Sequence, residues 1–288
     1  MEFKGIGVAL VTPFKEDKSI DYQALGKIID HVIQNGVDFL VALGTTGETP
    51  TLNKEEKIQV LEFIIEHNNK RKPIVLGMGE NNTNSLIEAL DSFPLNKVDA
   101  LLSVAPYYNK PTQEGIYEHF KALAEATDKP IILYNVPGRT GVNIFPETAI
   151  RLANDFNNIK AIKEASGDIA QCMELVAQAP KDFFVLSGDD DLILAQIAIG
   201  MHGAISVIAN SHPKEFSHLV NLALVQKNSA AQKILYELLP IIKLIFKEGN
   251  PTGVKYVLSE KGLCKNILRL PLVPASKELE KSIKEVLI

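Results

Sequence analysis

Residues 131–165 read IILYNVPGRTGVNIFPETAIRLANDFNNIKAIKEA, and the repeating unit of the whole chain lies within them. Ile131–Asn135 and Ile159–Glu164 are short apolar runs of the kind a strand buried on both faces requires. Between them Pro146 stands where a first helical position belongs, at the head of a helical pattern over 146–156. A strand, a helix and a second strand in this order form a βαβ unit with parallel strands.

The unit repeats in both directions. Strands are expected at Gly7–Val11, Phe39–Leu43, Ile74–Met78, Ala100–Val104, Phe183–Leu186 and Ala204–Ile208. Helical patterns fall near 21–35, 53–70, 83–93, 112–126, 168–179, 191–199 and 213–227. Asn53 with Glu56 makes a capping box, and Pro213 opens the last of these helices. Eight alternating units favour a closed (β/α)₈ TIM barrel over an open sheet. An open sheet would usually carry a Gly-rich turn after its first strand, but here that strand runs into Thr12-Pro13-Phe14. The expected division is a catalytic barrel over 1–228 and a C-terminal helical extension over 229–288, punctuated by Pro251 and Pro271.

Composition is that of an ordinary globular chain: 288 residues, 46% hydrophobic, 23% charged, net charge -5. A mildly acidic surface argues against nucleic acid or an anionic membrane as partner. Cys172 and Cys264 lie far apart, without metal-ligand spacing, so neither a disulfide framework nor a zinc site is expected. The start of the chain is too weakly basic, and its apolar run too short, for a secretory signal. Lys243 interrupts the best apolar stretch, LLPIIKLIF, leaving no membrane span and a cytoplasmic location as the expectation.

In barrels of this kind chemistry sits at the C-terminal ends of the strands. Lys163 occupies one such end. Period-two alternation places it on a face with Ala161 and Ala165, whose small side chains leave room beside it. Burial disfavours the charged form of an amine, and a neutral amine can attack a carbonyl to form a Schiff base. From the strand alone, a lysine snorkelling to solvent is the commoner outcome. Its neighbours tip the balance. Tyr134 would stand one strand away at the same level, where a phenol can relay protons. Arg139, after Pro137-Gly138, alone reads as a surface arginine but suits a carboxylate through paired hydrogen bonds. Gly44-Thr45-Thr46-Gly47 offers backbone N–H groups and hydroxyls in a turn. Asp189-Asp190-Asp191 reads as the N-terminal turn of the seventh helix rather than a cation site. No His pair has metal spacing, and no phosphate cradle follows strands 7 and 8, so no cofactor is expected.

Taken together, Gly44-Thr45-Thr46-Gly47-Glu48, Pro106-Tyr107-Tyr108-Asn109, Tyr134-Asn135-Val136-Pro137-Gly138-Arg139-Thr140-Gly141 and Ile162-Lys163-Glu164-Ala165 resemble the dihydrodipicolinate synthase family. These four motifs fall in order on four strand ends, and the resemblance covers essentially the whole chain. The family belongs to the pyruvate-dependent lyases that include N-acetylneuraminate lyase and 2-keto-3-deoxygluconate aldolases. The resemblance implies that Lys163 forms the Schiff base with pyruvate and that Thr45 and Thr46 hold its carboxylate. Tyr134 would donate and accept protons. Tyr108, lent across a subunit interface, would complete a Thr45–Tyr108–Tyr134 relay. Arg139 would receive the carboxylate of L-aspartate 4-semialdehyde, and Gly188 and Ile205 would line the pyruvate pocket. The implied reaction makes 4-hydroxy-tetrahydrodipicolinate for diaminopimelate and lysine synthesis, in a homotetramer built as a dimer of dimers. The alternatives are a pyruvate-releasing sugar-acid lyase and a non-catalytic keto-acid binder. The Val-Pro-Gly-Arg-Thr loop and Gly203-Ala204-Ile205-Ser206-Val207 favour the synthase. Where lysine-inhibited members carry His and Glu, this chain has Lys54, Lys57 and Ser85, with Asn81 and Tyr107 retained. Weak or absent inhibition by lysine is therefore expected.

Overall fold

The computed structural model describes residues 3–287. Eight parallel strands close into a barrel in strict sequence order. They are β1 (Gly5–Ala9), β2 (Phe39–Ala42), β3 (Ile74–Gly77), β4 (Ala100–Val104), β5 (Ile131–Asn135), β6 (Ile159–Glu164), β7 (Phe184–Ser187) and β8 (Gly203–Ser206). Closure comes from β1 pairing with β8, with Gly5 opposite Gly203. Gly203 has φ +148°, and a Cβ there would lie 2.0 Å from the Gly5 carbonyl oxygen. Only glycine lets the two backbones meet at this seam.

Alternation along the strands divides two cores. Ala9, Val41, Val75, Leu102, Ile132, Ala161 and Leu186 fill the barrel interior. Their neighbours Val8, Leu40, Leu76, Leu101, Leu133, Ile162 and Val185 face the surrounding helices. Burying each such aliphatic side chain contributes about 1.5–3 kcal/mol, so the larger outer cluster dominates cohesion. The helices match the expected positions to within a few residues: Tyr22–Gln34, Lys54–Asn68, Thr83–Leu90, Gln113–Glu125, Pro146–Asp155, Ile169–Gln178, Ile193–Ala198 and Pro213–Leu224. The Asn53–Glu56 capping box forms as read. Three further helices follow, Asn228–Lys247, Thr252–Glu260 and Lys277–Val286. Among the described residues no helix is long and apolar enough to cross a membrane.

The differences from the sequence reading lie at strand ends, where side chains replace ladder partners. β1 starts two residues earlier than expected, where Gly5 pairs with Gly203, and stops two residues earlier because Asn210 takes over beyond it. Asn210 Oδ1 accepts from the Val11 N–H at 3.2 Å, and its Nδ2 donates to the Ala9 carbonyl at 2.8 Å. β8 ends at Ser206, because the N–H groups of Val207 and Ile208 donate to the Asp190 carboxylate at 3.0 and 2.8 Å. Asp190 is therefore no helix-capping acid. The helix begins only at Ile193, and Asp190 is buried between β7 and β8. Burial raises its carboxyl to about 6. Nor is Arg139 in an irregular loop: Pro137–Thr140 forms one helical turn, closed by Gly141 at φ +76°.

The C-terminal helices are tied to the barrel mouth by a buried ion pair. Lys255, fully buried on Thr252–Glu260, bonds the carboxylate of Glu48, which is 2% exposed. Lys255 also donates to the Ile267 carbonyl at 2.9 Å. The Arg269 N–H donates to the other Glu48 oxygen at 3.0 Å, and the Arg269 guanidinium holds Glu56 and the Thr51 carbonyl. Removing one member of such a pair strands the other charge in a dry site. Glu48→Ala should lower unfolding stability in urea by about 3–5 kcal/mol. The double variant Glu48→Gln, Lys255→Met should lose less than the two single changes combined. A loss below about 1 kcal/mol for Glu48→Ala would show the pair to be inert.

Candidate active site

Lys163 reaches the barrel interior as the alternation requires. It is 6% exposed, and Tyr134 is 8% exposed. The two residues are direct partners in the β5–β6 register. Lys163 Nζ stands over the Tyr134 ring, 4.4 Å from its centroid. An amine in this position has lost most of its water and faces a phenol ring on the next strand.

A polar network behind the strands fixes that register. Glu164, the next residue after Lys163, points the other way and is fully buried. Its carboxylate accepts from Asn135 Nδ2 at 2.9 Å, Gln171 Nε2 at 2.9 Å and the Ser166 N–H at 2.8 Å. Asn135 also accepts from the Ile144 N–H at 2.9 Å. One carboxylate thus links the ends of β5 and β6 to helix Ile169–Gln178. Burial raises the pKa of Glu164, against the lowering effect of these donors.

Gly188, at the end of β7, makes the space that Lys163 occupies. A Cβ there would come within 2.4 Å of the Ala165 Cβ and 3.0 Å of Lys163 Cε. The Gly188 N–H continues the ladder by donating to the Glu164 carbonyl at 2.7 Å.

Thr45–Gly47 forms a single 3₁₀ turn after β2. The N–H groups of Gly47 and Glu48 close the turn on the Gly44 and Thr45 carbonyls, and among the described residues the N–H groups of Thr45 and Thr46 make no backbone hydrogen bond. The threonine hydroxyls remain. Thr46 is 2% exposed, and its Oγ1 accepts from Asn250 Nδ2 at 3.0 Å.

These side chains enclose a chamber of about 150 Å³ at the C-terminal end of the strands. Lys163, Tyr134, Thr45, Thr46, Arg139 and Gly188 all line it, as do Asp189, Val207, Phe246 and Asn250. A wider vestibule of about 500 Å³ shares Gly44, Thr45, Tyr134 and Arg139 with the chamber and adds Tyr107, Lys57 and Glu80. Arg139 is exposed, on the rim between the two. Six of the eight residues read from sequence therefore converge on one cavity.

The other two lie elsewhere in the chain. Ile205 is fully buried in the barrel interior, while Val207, two residues further along, forms the chamber wall on that side. Tyr108 is 87% exposed, with φ +76°, and its N–H donates to the Thr140 carbonyl at 3.2 Å. Its ring projects from the Arg139 side of the mouth. Phe246 and Asn250 escaped the sequence reading because they come from the C-terminal helical region, the first from a helix and the second from the link after it, more than 80 residues after Lys163 in the chain. Among the described residues no group of three or more His, Cys, Asp or Glu side chains could hold a metal ion.

Residues 2–288 match the model of the dihydrodipicolinate synthetase family. A 4-hydroxy-tetrahydrodipicolinate synthase of Parabacteroides distasonis is 50% identical over 287 residues, covering 100% of this chain and 97% of that protein. One of Flavobacterium psychrophilum is 53% identical over 277 residues, covering 96% and 94%. The crystal structure of dihydrodipicolinate synthase from Thermotoga maritima superposes with a TM-score of 0.97 at 40% identity, covering 100% of this chain and 98% of that one. A barrel whose buried Lys163 lines this chamber, and relatives alike over their full length, lead to one conclusion: the chain belongs to the dihydrodipicolinate synthetase family.

Proposed function

We propose that this enzyme condenses pyruvate with L-aspartate 4-semialdehyde through a Schiff base on Lys163, giving 4-hydroxy-tetrahydrodipicolinate. The observation that carries the reading is the buried Lys163 amine over the Tyr134 ring, in a chamber of about 150 Å³ lined by threonines and an arginine. The full-length relatives bearing the synthase name favour it over a sugar-acid lyase or a silent keto-acid binder.

The chemistry follows from the groups present. The Lys163 amine adds to the pyruvate ketone, and loss of water leaves an imine. Thr45 and Thr46 hold the pyruvate carboxylate, between Gly188 on one side and the interior packing that includes Ile205 on the other. Proton removal from the pyruvate methyl gives an enamine, which bonds to the aldehyde carbon of the second substrate. The amino group of that substrate then attacks the imine carbon, closing the ring and releasing Lys163. Each step moves protons at the imine, where Tyr134 is the adjacent phenol. Arg139 on the rim is placed to receive the carboxylate of the semialdehyde by paired hydrogen bonds.

Tyr108 completes the relay with Thr45 and Tyr134 only from a second subunit, since in its own chain the ring faces outward. This supports a homo-oligomer, a tetramer built from two tight dimers, acting in the cytoplasm on small molecules without nucleic acid or membrane. Lys54, Lys57 and Ser85 border a groove of about 320 Å³ beside the vestibule. Two ammonium groups there repel the side chain of lysine.

Three outcomes are expected. Lys163→Ala should lose nearly all condensation activity in a coupled assay with both substrates while unfolding near the wild-type temperature. Retained turnover, or pyruvate release from N-acetylneuraminate or 2-keto-3-deoxygluconate by the wild type, would contradict the reading. Gly188→Ala should lower kcat/KM about a hundredfold or more, since a 1 Å displacement of a reacting group costs that much. Finally, millimolar lysine should leave initial rates almost unchanged, and strong inhibition competing with neither substrate would oppose that expectation.

A further inference from the structure

The C-terminal helices reach the chamber at one polar contact, between Asn250 and Thr46. Asn250 lies in the link between helices Asn228–Lys247 and Thr252–Glu260 and is 7% exposed. Its Nδ2 donates to Thr46 Oγ1 at 3.0 Å, and both residues line the Lys163 chamber. Its Oδ1 is buried without a partner. Among the described residues the side-chain amide therefore bonds Thr46 alone.

A hydroxyl has one proton and two lone pairs. With a lone pair taken by the Asn250 amide, the Thr46 proton is left to donate, and no hydrogen bond from it to a protein acceptor forms among the described residues. An acceptor-only group at position 250 would reverse this. The proton would turn toward residue 250, and the chamber would present a lone pair where an anion must bind.

We propose that Asn250 is a positioning residue that aims the Thr46 hydroxyl proton at the substrate carboxylate, so that the C-terminal helices set the charge preference of the keto-acid pocket. This rests on the reading above that Thr46 holds the carboxylate of pyruvate. It extends that reading to a residue outside the barrel and gives it a defined effect: discrimination between an anionic and a neutral ketone. The neighbouring Glu48–Lys255 pair serves the same end more rigidly, by holding the far end of the threonine turn to the helix that follows Asn250.

Isothermal titration of pyruvate and of pyruvamide, its neutral amide, into the full-length wild type, Asn250→Ala and Asn250→Asp tests the proposal. Pyruvate should bind about tenfold or more weakly to Asn250→Asp and severalfold more weakly to Asn250→Ala. Pyruvamide, which offers both a donor and an acceptor, should change less than twofold in each. A structural collapse of the pocket would weaken both ligands alike, and that result overturns the proposal. So does pyruvate binding within twofold of wild type in both variants. If Asn250→Asp fails to fold, as judged by its thermal transition, the Asn250→Ala comparison decides by the same criteria. A wild type that binds no pyruvate defeats the keto-acid reading itself, and this proposal with it. Wild-type binding with unaffected variants defeats the proposal alone.

Discussion

A single amine confined within the mouth of a closed barrel is the constraint on which this molecule depends. Lys163 is long enough to reach water from a strand end, and most lysines so placed would. Here the small side chains of Ala161 and Ala165, the missing side chain of Gly188 and the ring of Tyr134 keep it inside. Burial costs the amine hydration, and the exchange is useful only if a carbonyl can approach it. The chamber beside it, with its threonines and the rim arginine, supplies that approach.

Geometry of this kind demands a rigid surround, and the surround is polar. Glu164 binds the ends of β5 and β6 together from behind, so Tyr134 and Lys163 stay in register. Asp190 performs a similar task between β7 and β8, accepting the N–H groups that would otherwise continue the ladder. Glu48 does so between the threonine turn and the C-terminal helices. Glu164 and Glu48 meet donors on both oxygens, the arrangement in which burying a carboxylate is tolerable, while Asp190 takes both N–H groups on one oxygen and leaves the other unpaired among the described residues. The apolar cores hold the barrel together, and these three carboxylates determine where its working ends point.

Much of this was legible in the chain. The alternation of apolar runs and helical patterns specified eight units, because period and composition are local properties that each βα unit displays by itself. The capping box at Asn53, the prolines at 146 and 213, and the inward face of Ala161, Lys163 and Ala165 were equally local. What escaped was set by partners distant in sequence. β1 and β8 ended early because Asn210 and Asp190 displaced their ladders, and nothing near Val11 or Val207 announces that. The three aspartates after β7 looked like helix-capping acids, yet the middle one is spent on β8. The chamber held Val207, the residue just past the end of β8, rather than Ile205, which is packed inside the barrel. Asn250 carried no signal at all, since an asparagine before a proline ordinarily reads as a turn.

The most direct test of the central claim is to reduce the enzyme with borohydride in the presence of pyruvate and to map the product by peptide mass spectrometry. The account predicts one reduced pyruvyl group per chain, carried by the peptide containing Lys163 and absent when pyruvate is omitted. A chain that gains no mass, or one that carries the group on a surface lysine such as Lys160 instead, would contradict it.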